Sequence, residues 1–138
     1  KTSGPLLDRI ALHAEVAPVQ FHDLTGSSTE ESSAVVRARV EKARKLQQQR
    51  FAGEPFHCNA RIPAGKLHYC PLSGEALEFL RRSFESLGMT ARAYDRVVKV
   101  ARTIADLAGE ETIGRTQIAE ALAYRTLDQK YWYENRNC

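Results

Sequence analysis

At 138 residues, with 43% hydrophobic and 27% charged side chains, the chain has the make-up of one globular domain with enough material for its own core. No apolar run approaches the roughly 18 residues of a membrane span, and the opening Lys1, Thr2, Ser3, Gly4, Pro5 is no signal peptide. A net charge of +3 is too small to mark a nucleic-acid binder by its total, and three cysteines, Cys58, Cys70 and Cys138, build no disulfide framework, which points to a reducing cytoplasm.

The chain opens on Ser3, Gly4, Pro5, Leu6, Leu7, Asp8, Arg9, Ile10, an apolar frame carrying an Asp-Arg pair and having no start of its own, as expected of part of a larger protein. Leu12, Ala14 and Val16 then alternate with His13 and Glu15, which predicts a strand ended by Pro18. Gly26, Ser27, Ser28, Thr29 read as a linker. Ser28 and Glu31 have capping-box spacing, with Ser32 or Ser33 as rival caps for a helix running to about Arg50. Its inward stripe is Val36, Val40 and Ala43; Arg37, Arg39, Lys42, Arg44, Lys45 and Arg50 cover the other faces. Residues 51–72, punctuated by Gly53, Pro55, Pro63, Gly65 and Pro71, form a long loop of the kind that is functional or ordered by short turns.

Ser73 caps a helix with Ala76, Leu80, Phe84 and Leu87 at helical spacing, stopped by Gly88. Thr90 caps the next, whose Ala93, Val97, Val98, Ala101, Ile104 and Ala105 form the cleanest apolar stripe, ended by Gly109. A last helix starts within 112–114 and carries Ile118, Ala121, Leu122 and Arg125. The predicted fold is mainly α, a helical bundle with a short N-terminal strand remnant, since helices of this length depend on packing one face against neighbours.

Two stretches together resemble a known family: residues 3–10 just quoted, and Thr90, Ala91, Arg92, Ala93, Tyr94, Asp95, Arg96 continuing to Arg102, Asp106 and Leu107. In this order and at about this separation they resemble the C-terminal part of the magnesium-chelatase-like ATPases of the ComM/YifB family, a branch of the AAA+ ATPases. The resemblance implies that 1–24 end the nucleotide-binding core, that 25–129 form the helical lid, and that 130–138, with Tyr131, Trp132 and Tyr133, are a tail beyond the likeness.

It further implies ATP and Mg2+ in the full-length parent, with none bound by this chain alone. The implied partners are the parent's own upstream ATPase core, a homo-oligomeric, hexameric ring and DNA, with no membrane. Arg9 becomes the candidate arginine finger acting in trans and Asp8 its orienting partner, because a permanently charged, bidentate guanidinium suits charge developing on phosphoryl oxygens. Arg92, in the first turn of a lid helix, becomes the candidate sensor-2 residue facing the γ-phosphate. Taken alone, an Asp-Arg pair is most often a structural ion pair and a first-turn arginine is most often solvated. Ala11 departs from the acidic residue that the family carries there.

The chain has no phosphate loop, since Gly65-Lys66 lacks both the upstream glycine and the following hydroxyl, so it is not expected to hydrolyse ATP by itself. His57, Cys58, His68 and Cys70 lack zinc-knuckle spacing, and no metal site is expected. The basic helix with Gln47, Gln48 and Gln49 could track a phosphate backbone, but Glu41 at i±4 from Arg37 and Lys45 favours a solvated, self-paired face. The role inferred from the resemblance is coupling of ATP hydrolysis to DNA remodelling, as branch migration in natural transformation. Its rivals are a magnesium-chelatase motor subunit and a stand-alone helical module that binds DNA or protein.

Overall fold

The computed structural model describes residues 9–18 and 30–125. Asp8, the 26–29 linker and the aromatic tail lie outside the described residues. The fold is mainly helical, as expected: α1 (Ser33–Arg50), α2 (Gly74–Leu87), α3 (Ala91–Ala108) and α4 (Arg115–Ala123) form a bundle, with 3-10 turns at Asn59–Arg61 and Ala64–Tyr69 inside the long connection.

Local chemistry sets the helix ends. Ser32, Ser73 and Thr90 are N-caps whose hydroxyl oxygens accept from the amides of Val35, Ala76 and Ala93, each relieving one unpaired first-turn donor. Gly88 and Gly109 end α2 and α3 at φ of +59° and +78°, a left-handed conformation that costs glycine little. The central helix is α3, which buries Val97, Val98, Ala101 and Ala105 against Leu80 of α2 and against Ile118 and Ala121 of α4.

The connection from 51 to 72 is ordered by its own side chains. Phe51 packs on Phe56 and Tyr69 with ring centroids 5.0 and 5.3 Å apart, over a floor that includes Ile62 and Cys70. Glu54 accepts hydrogen bonds from Lys66 Nζ at 2.6 Å and from Tyr69 Oη at 2.6 Å, clasping the loop across its width. Both donors favour the ionised carboxylate and hold it below the usual range, the Lys66 contact most of all. A parallel bridge between Leu72 and Ile113 then fastens the loop's end to the α3–α4 turn, through Ser73 N–H to the Ile113 carbonyl at 2.9 Å and Ile113 N–H to the Pro71 carbonyl at 2.8 Å.

Two stretches differ from expectation. Residues 12–16 form no β-ladder, and their alternation points the other way: His13 is buried, whereas Leu12 and Val16 are 53% and 87% exposed. The segment lies as a strap on the end of α4, where His13 N–H donates to the Tyr124 carbonyl at 2.6 Å and Arg125 Nη1 to the Ile10 carbonyl at 3.3 Å. With no neighbouring strand among the described residues, alternation alone cannot choose the inner face. In α1 the inward stripe engages only from Ala43 and Gln47 onward, and Val36 and Val40 remain 38% and 40% exposed because the helix's first ten residues overhang the bundle.

Candidate functional site

Arg92 is the second residue of α3, directly after the turn at Gly88. Met89 N–H closes that turn on the Phe84 carbonyl at 3.1 Å, and Thr90 Oγ1 takes the Ala93 amide at 3.1 Å, so the place where the helix begins is well defined. The first turn holds no acidic residue, and the exposed Arg92 makes no ion pair among the described residues. A cation at the positive end of a helix is unfavourable by a few tenths to about 1 kcal/mol, so this placement serves anion contact better than it serves stability.

Arg9 stands exposed at the start of the strap. The strap is tied to the end of α4, and Arg9 shares no hydrogen-bond partner with Arg92 among the described residues. Its proposed orienting partner Asp8 lies outside the described residues. No hydrogen bond or ion pair among the described residues joins the two arginines. Between strap, α3 and α4 lies an apolar cavity of about 340 Å³, lined by Leu12, Val100, Ile104, Leu107 and Tyr124.

The residues singled out for metal do not converge. Cys70 is buried and its thiol is pushed up to about 11 by desolvation, whereas Cys58 and His57 are exposed. Among the described residues no group of three or more His, Cys, Asp or Glu is placed to hold a metal ion. Gly65-Lys66 sits in a 3-10 turn with Lys66 committed to Glu54.

The strongest electrostatic feature is one that sequence reasoning missed. Arg102 and Asp106 are both fully buried, one turn apart on the inner face of α3. Asp106 accepts from Arg102 Nε at 3.2 Å, from Arg50 Nη1 at 2.9 Å and from Asn59 Nδ2 at 2.8 Å. Arg102 donates further to the carbonyls of Glu110 and Glu111, fixing the α3–α4 turn. Asn59 also receives Arg50 on its side-chain oxygen at 3.1 Å and gives its amide N–H to Gln47 Oε1 at 3.1 Å. Burial pushes the Arg102 guanidinium downward in pKa, with Asp106 opposing that shift. The network locks α1, the 59–61 turn and α3 into one orientation, and so sets the direction in which Arg92 is presented. The available signal was positional: Arg102 and Asp106 sit beside Ala101 and Ala105 within the apolar stripe, where charged residues belong only in pairs.

No helix among the described residues is long and apolar enough to cross a membrane. Residues 30–125, the whole helical bundle, match the family described as magnesium chelatase, subunit ChlI C-terminal, and the chain belongs to that family. It is 40% identical over 129 residues to the competence protein ComM of Haemophilus influenzae, an alignment covering 92% of this chain and 25% of that protein. It is also 36% identical over 132 residues to the uncharacterized protein YifB of Salmonella typhimurium and 35% identical over 132 residues to that of Escherichia coli, each alignment covering 94% of this chain and 25% of the relative. The chain thus spans about a quarter of the length of these relatives, and the likeness read from residues 3–10 and 90–107 is borne out.

Proposed function

We propose that the chain is the C-terminal lid portion of a magnesium-chelatase-like AAA+ ATPase of the cytoplasm, in which ATP binding and hydrolysis by the full-length protein drive DNA remodelling of the branch-migration kind. The observation that carries this reading is the match of the entire bundle to the chelatase family together with 40% identity to a competence protein. ATP with Mg2+ would supply the phosphoryl chemistry, held by the upstream core of a hexameric ring. This chain's contribution is positional. Arg92 approaches the γ-phosphate from the lid, its place fixed by the Thr90 cap and by the buried Arg102–Asp106 clasp. Arg9, oriented by Asp8, reaches a neighbouring subunit's nucleotide and stabilises charge that develops only in the transition state. A chelatase motor subunit is the second reading, favoured by the description of the matched family itself.

The test uses the full-length protein. Arg9→Ala should retain nucleotide binding while hydrolysis falls steeply, since arginine fingers contribute about 10³ to 10⁵ in rate. Arg92→Ala should weaken both. Rings mixed from Arg9→Ala subunits and phosphate-loop mutants should regain part of the activity, because some interfaces then pair an intact loop with an intact Arg9. Normal hydrolysis by Arg9→Ala, together with no rescue in rings proven to co-assemble, would reduce Arg9 to a partner of Asp8. DNA-independent ATP hydrolysis that is stimulated by a porphyrin-binding partner would favour the chelatase reading.

A further inference from the structure

The charge of this chain is segregated. Helix α1 carries six basic residues and one acid, a formal +5, whereas the whole chain is +3 and the remainder is therefore −2. Not all of that charge is available. Arg39 is held by Glu31 in a two-pronged pair at 2.9 Å, Arg50 is spent on Asp106, and the Lys42 ammonium lies beside Gly109 at the C-terminal end of α3, where a cation belongs. Arg37, Arg44 and Lys45 make no ion pair or hydrogen bond among the described residues. The single acid, Glu41, pairs with neither Arg37 nor Lys45, although the i±4 spacing would allow both.

Helical geometry lines these groups up. Arg37 and Arg44 are two turns apart, about 10.5 Å along the axis, on nearly the same line, with Lys45 flanking them and the exposed Gln48 one turn beyond Arg44. The face points away from the Ala43 and Gln47 side that meets the bundle. It has no aromatic side chain; the part-exposed Val36 and Val40 flank it on one side, smaller than the aromatic anchors on which protein interfaces depend. A row of cations on one helix with an exposed amide and no aromatic anchor suits a regular polyanion.

We propose that this face of α1 is a sequence-independent contact for the sugar-phosphate backbone of nucleic acid, duplex DNA above all, made by Arg37, Arg44 and Lys45 with Gln48 as an additional donor. It rests on the DNA-handling part of the proposed function and gives that part a location. Phosphates follow one another about every 3.4 Å of axis along a strand, so the Arg37 to Arg44 span covers about three of them. Glu41, lying between the cations, is a built-in brake on affinity.

The experiment is titration of the 138-residue chain against a fluorescent mixed-sequence duplex at several salt concentrations. Three backbone contacts give a slope of log K on log salt near −2.7, so affinity should fall roughly 40-fold between about 50 and 200 mM salt. Arg37→Gln, Arg44→Gln and Lys45→Gln should each lower the slope by about 1, with little change in circular dichroism because glutamine is as good a helix former as the residues replaced. Glu41→Gln should strengthen binding, a gain that misfolding cannot imitate. Failure of the chain to bind duplex at low salt, or binding that neither the three substitutions nor Glu41→Gln alters, would overturn the proposal. Selective binding to an acidic protein surface in place of DNA would do so as well. Because the proposed ATPase roles of Arg9 and Arg92 do not involve Arg37, Arg44 or Lys45, loss of this proposal and loss of the ATPase reading are separately visible.

Discussion

Asp106 is the most demanding position in the bundle. Replacing it with alanine removes a fully buried carboxylate from the donors of three residues, Arg50, Asn59 and Arg102, and leaves Arg102, itself 0% exposed, with a desolvated guanidinium that only two backbone carbonyls still meet. Single hydrogen bonds to charged groups contribute about 1.5–3 kcal/mol each, but they share one acceptor and do not add. The relevant figure is the penalty for breaking a buried pair from one side, about 3–5 kcal/mol, a large share of the 5–15 kcal/mol of a typical domain. With a urea slope of about 1–3 kcal/mol/M, the unfolding midpoint should drop by more than about 1 M. Asp106→Asn should cost nearly as much, since its amide turns a donor toward donors. A double-mutant cycle with Arg50→Ala should return a coupling of about 1–3 kcal/mol, because Arg50 reaches the same carboxylate. A loss below about 0.5 kcal/mol for Asp106→Ala, together with an Arg50→Ala effect that is equal in both backgrounds, would refute the assignment of this network as the clasp between α1 and α3.

Two smaller predictions concern the connection from 51 to 72. Glu54 has a depressed pKa in the folded chain, so its pairing with Lys66 and Tyr69 contributes stability above the unfolded value near 4.5 and loses it as pH falls through the lower folded value. Melting temperature should therefore fall more steeply below pH 4.5 in the native chain than in Glu54→Gln, and parallel curves would dismiss the clasp. Cys70, buried and with its thiol pushed up to about 11, should resist alkylation at mildly alkaline pH in a Cys138→Ser background while exposed Cys58 reacts; equal labelling of both would show that the floor of the loop is open.

What could be read from the chain beforehand divides along a physical line. The caps at Ser73 and Thr90 and the stops at Gly88 and Gly109 were legible because they depend on residues within one turn. The apolar stripe of α3 was legible because six positions, Ala93, Val97, Val98, Ala101, Ile104 and Ala105, repeat at one period. The facing of the 12–16 segment was not, since period-two alternation does not say which side meets a neighbour, and the neighbour is Tyr124, more than 100 residues away. Val36 and Val40 read as core by the same rule that succeeded in α3, yet nothing among the described residues lies opposite them to complete the burial. Arg102 and Asp106 read as part of a family signature, but their burial depends on Arg50 and Asn59, which come from separate parts of the chain. For the candidate site, the position of Arg92 in a first turn was legible, and its lack of an acidic companion became visible only with the side chains in place.

The clasp also orders events in time. The α3–α4 hairpin closes on contacts eight and nine residues apart, from Arg102 to the Glu110 and Glu111 carbonyls, and such closures are fast. Asp106 instead waits for Asn59 and Arg50, 47 and 56 residues away, so its bonds form only once the intervening segments have been brought together. Interactions completed that late are largely absent from the folding transition state, and weakening them speeds unfolding while leaving the folding rate nearly unchanged. The same carboxylate that orients α3 therefore acts as a kinetic lock, setting how long the bundle stays folded more than how quickly it folds.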